Sequence, residues 1–273
     1  VKYNTRHEQQ RAAATLGREA AREALAGRSP HQVGRERVME ALRTVYAWGC
    51  SAPRLLDEHL YKGRSGFTAR LVKQGLLDAH PLPGLGRYLD LPASVVTLAP
   101  AAIELVEATL EAPMGYDQAH AIAHHQLRHD LWVQRVVLKR IREEKADTYK
   151  TPRHLAARSE LGRKQPDAAW VVDGHAYAYE LELTQKTGRE FDQTCEAIAR
   201  SLKEGRFSGV RIDTPLKAIF HKYKEAFKIG NNIPVWERDK NKHWSKKNGA
   251  RIIVSSDLAE SIAINLISRD WMK

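Results

Sequence analysis

Cysteine is nearly missing: Cys50 and Cys195 are the only two in 273 residues. Two thiols cannot make a disulfide framework, nor a zinc site alone, so a reducing cytoplasm is expected. Any metal must then be held by oxygen or histidine ligands. Long apolar runs are missing as well. Uncharged stretches such as 168–172 and 252–254 fall far short of the ~20 residues that a membrane helix needs, so no membrane partner is expected. Residues 1–22 are basic and polar without an apolar core, and no secretory signal is read there. Glycine (17) and proline (11) are modest beside 42% hydrophobic and 28% charged residues, which excludes low complexity and disorder for the bulk of the chain.

What the sequence has in excess is positive charge, a formal +11 with a pI near 9.6. It is unevenly placed. Residues 1–120 carry 15 basic and 13 acidic side chains, and residues 121–273 carry 29 and 20. Within the second half, residues 217–251 hold ten basic residues, among them Lys240, Lys242, Lys246 and Lys247, interleaved with Phe220, Tyr223, Phe227, Trp236 and Trp244. Lysine and arginine neutralise phosphates while aromatic faces stack on unpaired bases, so this mixture suits a nucleic-acid strand. A solvated loop over a few core aromatics is the alternative.

Residues 7–26 are rich in Ala, Glu and Arg and predict an exposed helix, an N-terminal arm over 1–30. In 33–50, Val38, Leu42 and Val45 recur at helical spacing. Ser51 is expected to cap the helix APRLLDEHLY. FTARLVKQGLLDA follows, with Phe67, Leu71, Val72 and Leu76 as its apolar stripe and Gly75 as its end. Residues 77–98 give a hairpin signal around PLPGLG, and Pro100 opens a closing helix. Three short helices, a hairpin and a helix describe a winged helix-turn-helix domain over 31–114. Such a module sets its third helix in the major groove, which assigns DNA contacts to Arg64, Arg70 and Lys73. A small dimerisation domain has the same pattern.

The second half, 115–273, opens on a long helical pattern over 118–144. His120 and His124, and His125 and His129, have the i, i+4 spacing of metal ligands, without the Glu or third ligand that would make a zinc site. Residues 168–172 (AAWVV), a turn at Asp173-Gly174 and 175–183 (HAYAYELEL) then predict two strands. Alternation puts Tyr177, Tyr179, Leu181 and Leu183 on one face and Ala178, Glu180 and Glu182 on the other. Two carboxylates side by side in an apolar strand raise each other's pKa, a cost that a divalent cation removes. With Asp167 at the start of the preceding strand, three carboxylates can converge on Mg²⁺ or Mn²⁺, hard cations that take oxygen ligands. Glutamates paired with Lys or Arg at a solvated sheet edge are the alternative.

Pro166-Asp167 followed by Glu180-Leu181-Glu182 resembles the PD-(D/E)xK nuclease signature. More narrowly, the order LRHDLWVQ, RSEL, QPDAAW, YELELTQKT behind a winged-helix half resembles the replication-relaxation family and the MobC-type plasmid relaxases, over residues 35–205. The resemblance implies an α+β chain whose second domain is an α/β nuclease fold: a helix, three strands, a helix at 189–203, a strand at 215–222 and late elements. It puts Asp167 and Glu180 on the metal-binding positions, His129 with Asp130 on the histidine motif of the first helix, and Glu160 on the glutamate of RSEL, a further metal ligand. Glu182 stands where many such nucleases have lysine. Lys186, His129 or a second metal must then serve for that lysine, or the site is inactive.

The leading expectation is a metal-dependent DNA-nicking relaxase at a plasmid origin of transfer, beside other relaxosome and coupling proteins. Asp167, Glu180 and Glu182 would hold the metal, and His129 would serve as ligand or general acid/base. A non-catalytic DNA-binding regulator with a vestigial nuclease fold is the second expectation, and a double-strand-cutting nuclease the third. Tyr149, Tyr177 and Tyr179 are read as packing residues.

Overall fold

The computed structural model of the chain describes residues 25–61, 66–82, 91–117, 122, 126–144, 146–156, 165–240 and 243–268, together with residue 15. The molecule is mixed α+β. Its first part packs helices α1 (Pro30–Trp48), α2 (Pro53–Tyr61) and α3 (Phe67–Lys73), strands β1 (Leu77–Pro81) and β2 (Ser94–Leu98), and α4 (Pro100–Glu107) around one core. Helix α1 starts where Ser29 accepts a hydrogen bond from the Gln32 amide, with Pro30 in the first turn, and Leu42 and Val45 are fully buried. Helices α2 and α3 are joined by a side chain. The Asp57 carboxylate accepts from the Gly66 and Thr68 amides at 3.1 and 2.9 Å and from the Thr68 hydroxyl at 2.7 Å. It thus satisfies the orphan amides at the start of α3. At the other end Gly75 takes φ +68, and the Leu76 amide donates back to Leu71, the left-handed ending that glycine allows.

Strands β1 and β2 pair antiparallel from Leu77↔Leu98 to Pro81↔Ser94. Ser51 adds a third edge, exchanging both backbone bonds with Val96. The expected capping role of Ser51 is therefore corrected. Its hydroxyl is buried and donates to Gln134 at 3.1 Å, and α2 begins at Pro53.

Helix α5 (Leu127–Glu144) serves both parts of the chain. Leu127 and Leu131 pack with Cys50, Leu55 and Val95, while Trp132, Val133, Val136 and Val137 pack against the second part's sheet. The helix begins later than the 118 expected: residue 122 lies outside any helix. Strands β3 (Thr148–Lys150), β4 (Ala168–Val172), β5 (His175–Leu181), β6 (Gly209–Thr214) and β9 (Ile262–Leu266) form that sheet in the order β3-β4-β5-β6-β9. The first three are antiparallel, and β6 and β9 run parallel to β5. A short helix, α6 (Pro152–Ala156), follows β3.

Helices α7 (Gly188–Lys203) and α8 (Lys217–Ala226) cover the face opposite α5, where Ala178, Cys195, Ile198, Ile212, Ile219, Tyr223 and Ile264 are buried together. The strand expected at 215–222 is thus a helix. Ile219 and Tyr223 bury one stripe at i, i+4 spacing, and the parallel strand is 209–214, whose buried positions Val210 and Ile212 sit between β5 and β9. Strands β7 (Asn232–Arg238) and β8 (Trp244–Ile253) make a separate hairpin, followed by the short helix α9 (Ser256–Glu260). Residues 1–14 and 16–24 of the expected arm and the tip of the β1–β2 hairpin at 83–90 lie outside the described residues.

Candidate active site

The β4–β5 hairpin turns through Asp173 (φ +50) and Gly174 (φ +75), a two-residue connection whose hand matches the strand twist. That turn fixes the register Ala168↔Tyr179 and so sets Asp167 beside the end of β5. The Asp167 carboxylate accepts from the Leu181 amide at 2.7 Å, and the Asp167 amide donates to the Tyr179 carbonyl at 3.0 Å. His129, near the start of α5, closes the group. Its Nε2 lies 3.1 Å from Asp167 Oδ2 and 3.2 Å from the Leu181 carbonyl, and its Nδ1 lies 3.3 Å from Asp130 Oδ1. Burial alone lowers the His129 pKa, but the hydrogen bonds and charges of Asp130 and Asp167 outweigh it and raise the value to about 10. The imidazole is then cationic at neutral pH and donates from both nitrogens.

On the other face of β5 stand Glu180 and Glu182, 5% and 3% exposed. Lys186 donates to Glu182 Oε1, and the Tyr223 hydroxyl donates to the same oxygen at 2.9 Å. Burial, with the charge and hydrogen bond of Glu182, pushes the Tyr223 phenol far above its ordinary pKa and keeps it protonated. Lys222 in turn donates to the Lys186 carbonyl at 2.6 Å and lies 4.1 Å over the Phe191 ring. The 182–187 loop is thereby held against α8.

The expected three-carboxylate cluster is thus divided about the end of β5: Asp167 meets His129 from α5, and Glu182 meets Lys186 and Tyr223 on the side of α8. Among the described residues no group of three or more His, Cys, Asp or Glu side chains is arranged to hold a metal ion. The donor chemistry still fits a hard divalent cation, since Asp167, Glu180 and Glu182 are carboxylates near one end of the β4–β5 pair, with Asp167 hydrogen-bonded to the backbone between the two glutamates. Glu160, His120, His124 and His125 lie outside the described residues.

Two site residues escaped the sequence reading. Asp213, 1% exposed, accepts from Arg211 Nε at 2.8 Å, Asn265 Nδ2 at 2.9 Å and the Tyr179 hydroxyl at 3.4 Å, and its carbonyl accepts from the Glu182 amide. An aspartate in the otherwise apolar strand GVRIDT carries the same signal as the glutamate pair. Tyr223 was read only as one of the aromatics of the basic 217–251 segment, and the strand expected just before it gave no reason to bring it to Glu182.

Of the expected DNA contacts, Arg70 and Lys73 are exposed on α3, with the Arg70 guanidinium 5.4 Å over Phe67. Lys240 is exposed in the β7–β8 turn, and Lys246 and Lys247 are exposed on β8. Arg64 and Lys242 lie outside the described residues. No helix is long and apolar enough to cross a membrane among the described residues. Comparison with known protein families, with curated proteins and with solved structures returns no match.

Proposed function

We propose that the chain is a metal-dependent DNA endonuclease that nicks one strand at a site found by its first part. One observation carries the reading: the Asp167 carboxylate is hydrogen-bonded to the backbone of Leu181, the residue between Glu180 and Glu182. The order of helix, three antiparallel strands, helix and parallel strand around that point supports a PD-(D/E)xK-like core. Asp167, Glu180 and Glu182 would hold Mg²⁺ or Mn²⁺. Bound there, the cation supplies an acidified water and a Lewis acid for the phosphoryl oxygens. His129, cationic and hydrogen-bonded to Asp167, orients that carboxylate and can give a proton to a leaving oxygen. Lys186 is the basic group nearest the role of the missing motif lysine.

A winged helix-turn-helix reading of the first part is supported by the Asp57 link between α2 and α3 and by the third edge that Ser51 adds to the hairpin. Arg70 and Lys73 would then face the DNA. Action at an origin of transfer, with relaxosome and coupling proteins, rests on the family resemblance.

A second reading, a DNA-binding regulator with a vestigial nuclease fold, is favoured by Lys186 sitting on Glu182 while Asp167 turns to His129. Supercoiled plasmid carrying the cognate origin separates the two. Open-circular product with Mg²⁺ or Mn²⁺, none with EDTA and none from Asp167→Asn is expected. Tight binding without cleavage in any metal supports the regulator, and linear product supports a double-strand nuclease.

A further inference from the structure

The β7–β8 hairpin carries an aromatic and cationic surface whose geometry exceeds what packing requires. Pairing of Arg238 with Trp244 and of Trp236 with Lys246 sets these four side chains on one side of the hairpin. Trp236 is the anchor: its indole donates to Asp192 at 3.1 Å and its amide to Glu196 at 3.4 Å, both on α7. Trp244 lies beyond that anchor and remains 38% exposed. The Arg189 guanidinium, in the first turn of α7, stands 5.2 Å from its ring centre, and that of Arg238 stands 5.7 Å away. Lys246 lies 5.6 Å over Trp236. Residues 244–249 of β8 are all exposed.

We propose that this hairpin, with the first turn of α7, binds single-stranded DNA: Trp244 stacks on an unpaired base while Arg189, Arg238 and Lys246 neutralise the flanking phosphates. A base offers its face only when unpaired, and an exposed indole between guanidiniums matches a base flanked by phosphates on both sides. A cavity of about 500 Å³, lined by Lys246, Lys222, Phe191 and Asn232, opens beside the hairpin. Lys222 holds the backbone of Lys186, which pairs with Glu182. The inference deepens the cleavage reading, since the strand is the substrate of that site, but its test runs without metal, so failure of one is distinct from failure of the other.

The test is fluorescence anisotropy of a labelled oligothymidylate of about 12 residues, in EDTA, with the intact chain and variants. Trp244→Ala is expected to weaken binding about tenfold, the scale of one lost base–aromatic stack, and Trp244→Phe to keep most of the affinity. The double variant Arg189→Met, Arg238→Met should reduce the slope of log affinity against log salt by about 1.4, two phosphates' worth on a single strand. Duplex of the same length should bind Trp244→Ala as it binds the wild type. Wild-type affinity for the single strand in a folded Trp244→Ala, an equal loss on duplex, or tighter binding of oligouridylate overturns the proposal.

Discussion

His59 on α2 shows how burial sets the chemistry of a single residue. Its side chain is 11% exposed, its Nδ1 has no hydrogen-bond partner, and Glu40 lies 3.8 Å away, beyond hydrogen-bond distance. Burial, helped by the charge of Arg142, lowers its pKa from 6.5 to about 4. Between those values the unfolded chain binds a proton there and the folded chain does not. Stability from this residue is therefore complete above 6.5 and is lost as pH falls toward 4. The thermal midpoint of the wild type should drop between about pH 7 and about pH 4.5, and that of His59→Gln should drop less over the same range. At this scale much of the site was legible. Asp167, Glu180 and Glu182 stood out because carboxylates in apolar strands need a physical reason. Their division between two faces was not legible, since it depends on His129 and Tyr223 arriving from helices whose placement only tertiary packing decides.

Among elements, the β4–β5 hairpin was the most legible, because alternation and the Asp-Gly pair specify both strands and the turn. Gly174→Val should destabilise by about 1–2 kcal/mol in urea unfolding, the cost of a β-branched side chain at φ +75, while Asp173→Asn should be nearly neutral. The start of helix α8 was read as a strand for a definite reason: the apolar residues of LKAIFHK span so few positions that periods of 2 and 3.6 cannot be told apart. Burial of Ile219 with Tyr223 decides for the helix. Ser51 illustrates the same limit. A serine before Pro53 predicts a cap, yet pairing with Val96 and a hydrogen bond to Gln134 take it into the core.

For the whole molecule, α5 is the joint between the two parts of the chain, packing against the core of the first and the sheet of the second. Gln134, 1% exposed, contacts the Ser51 hydroxyl and the Cys50 carbonyl of the first part, while His129, five residues earlier, meets Asp167 of the second. Thr151 also donates to the Ala47 carbonyl at 2.7 Å. Packing thus crosses the expected boundary at 114/115, so the orientation of the α3 surface toward the carboxylates is fixed by a core and needs no linker to set it. Charge follows the same plan, with the basic excess on the half that holds the carboxylates and the β7–β8 hairpin. The central claim is that Asp167, Glu180 and Glu182 together hold a divalent cation. Titrating the intact chain with Mn²⁺ and following the free-ion paramagnetic resonance signal tests it most directly. Binding to the wild type that is lost in both Asp167→Asn and Glu180→Gln is the predicted result; no binding to the wild type, or binding that neither substitution alters, would contradict it.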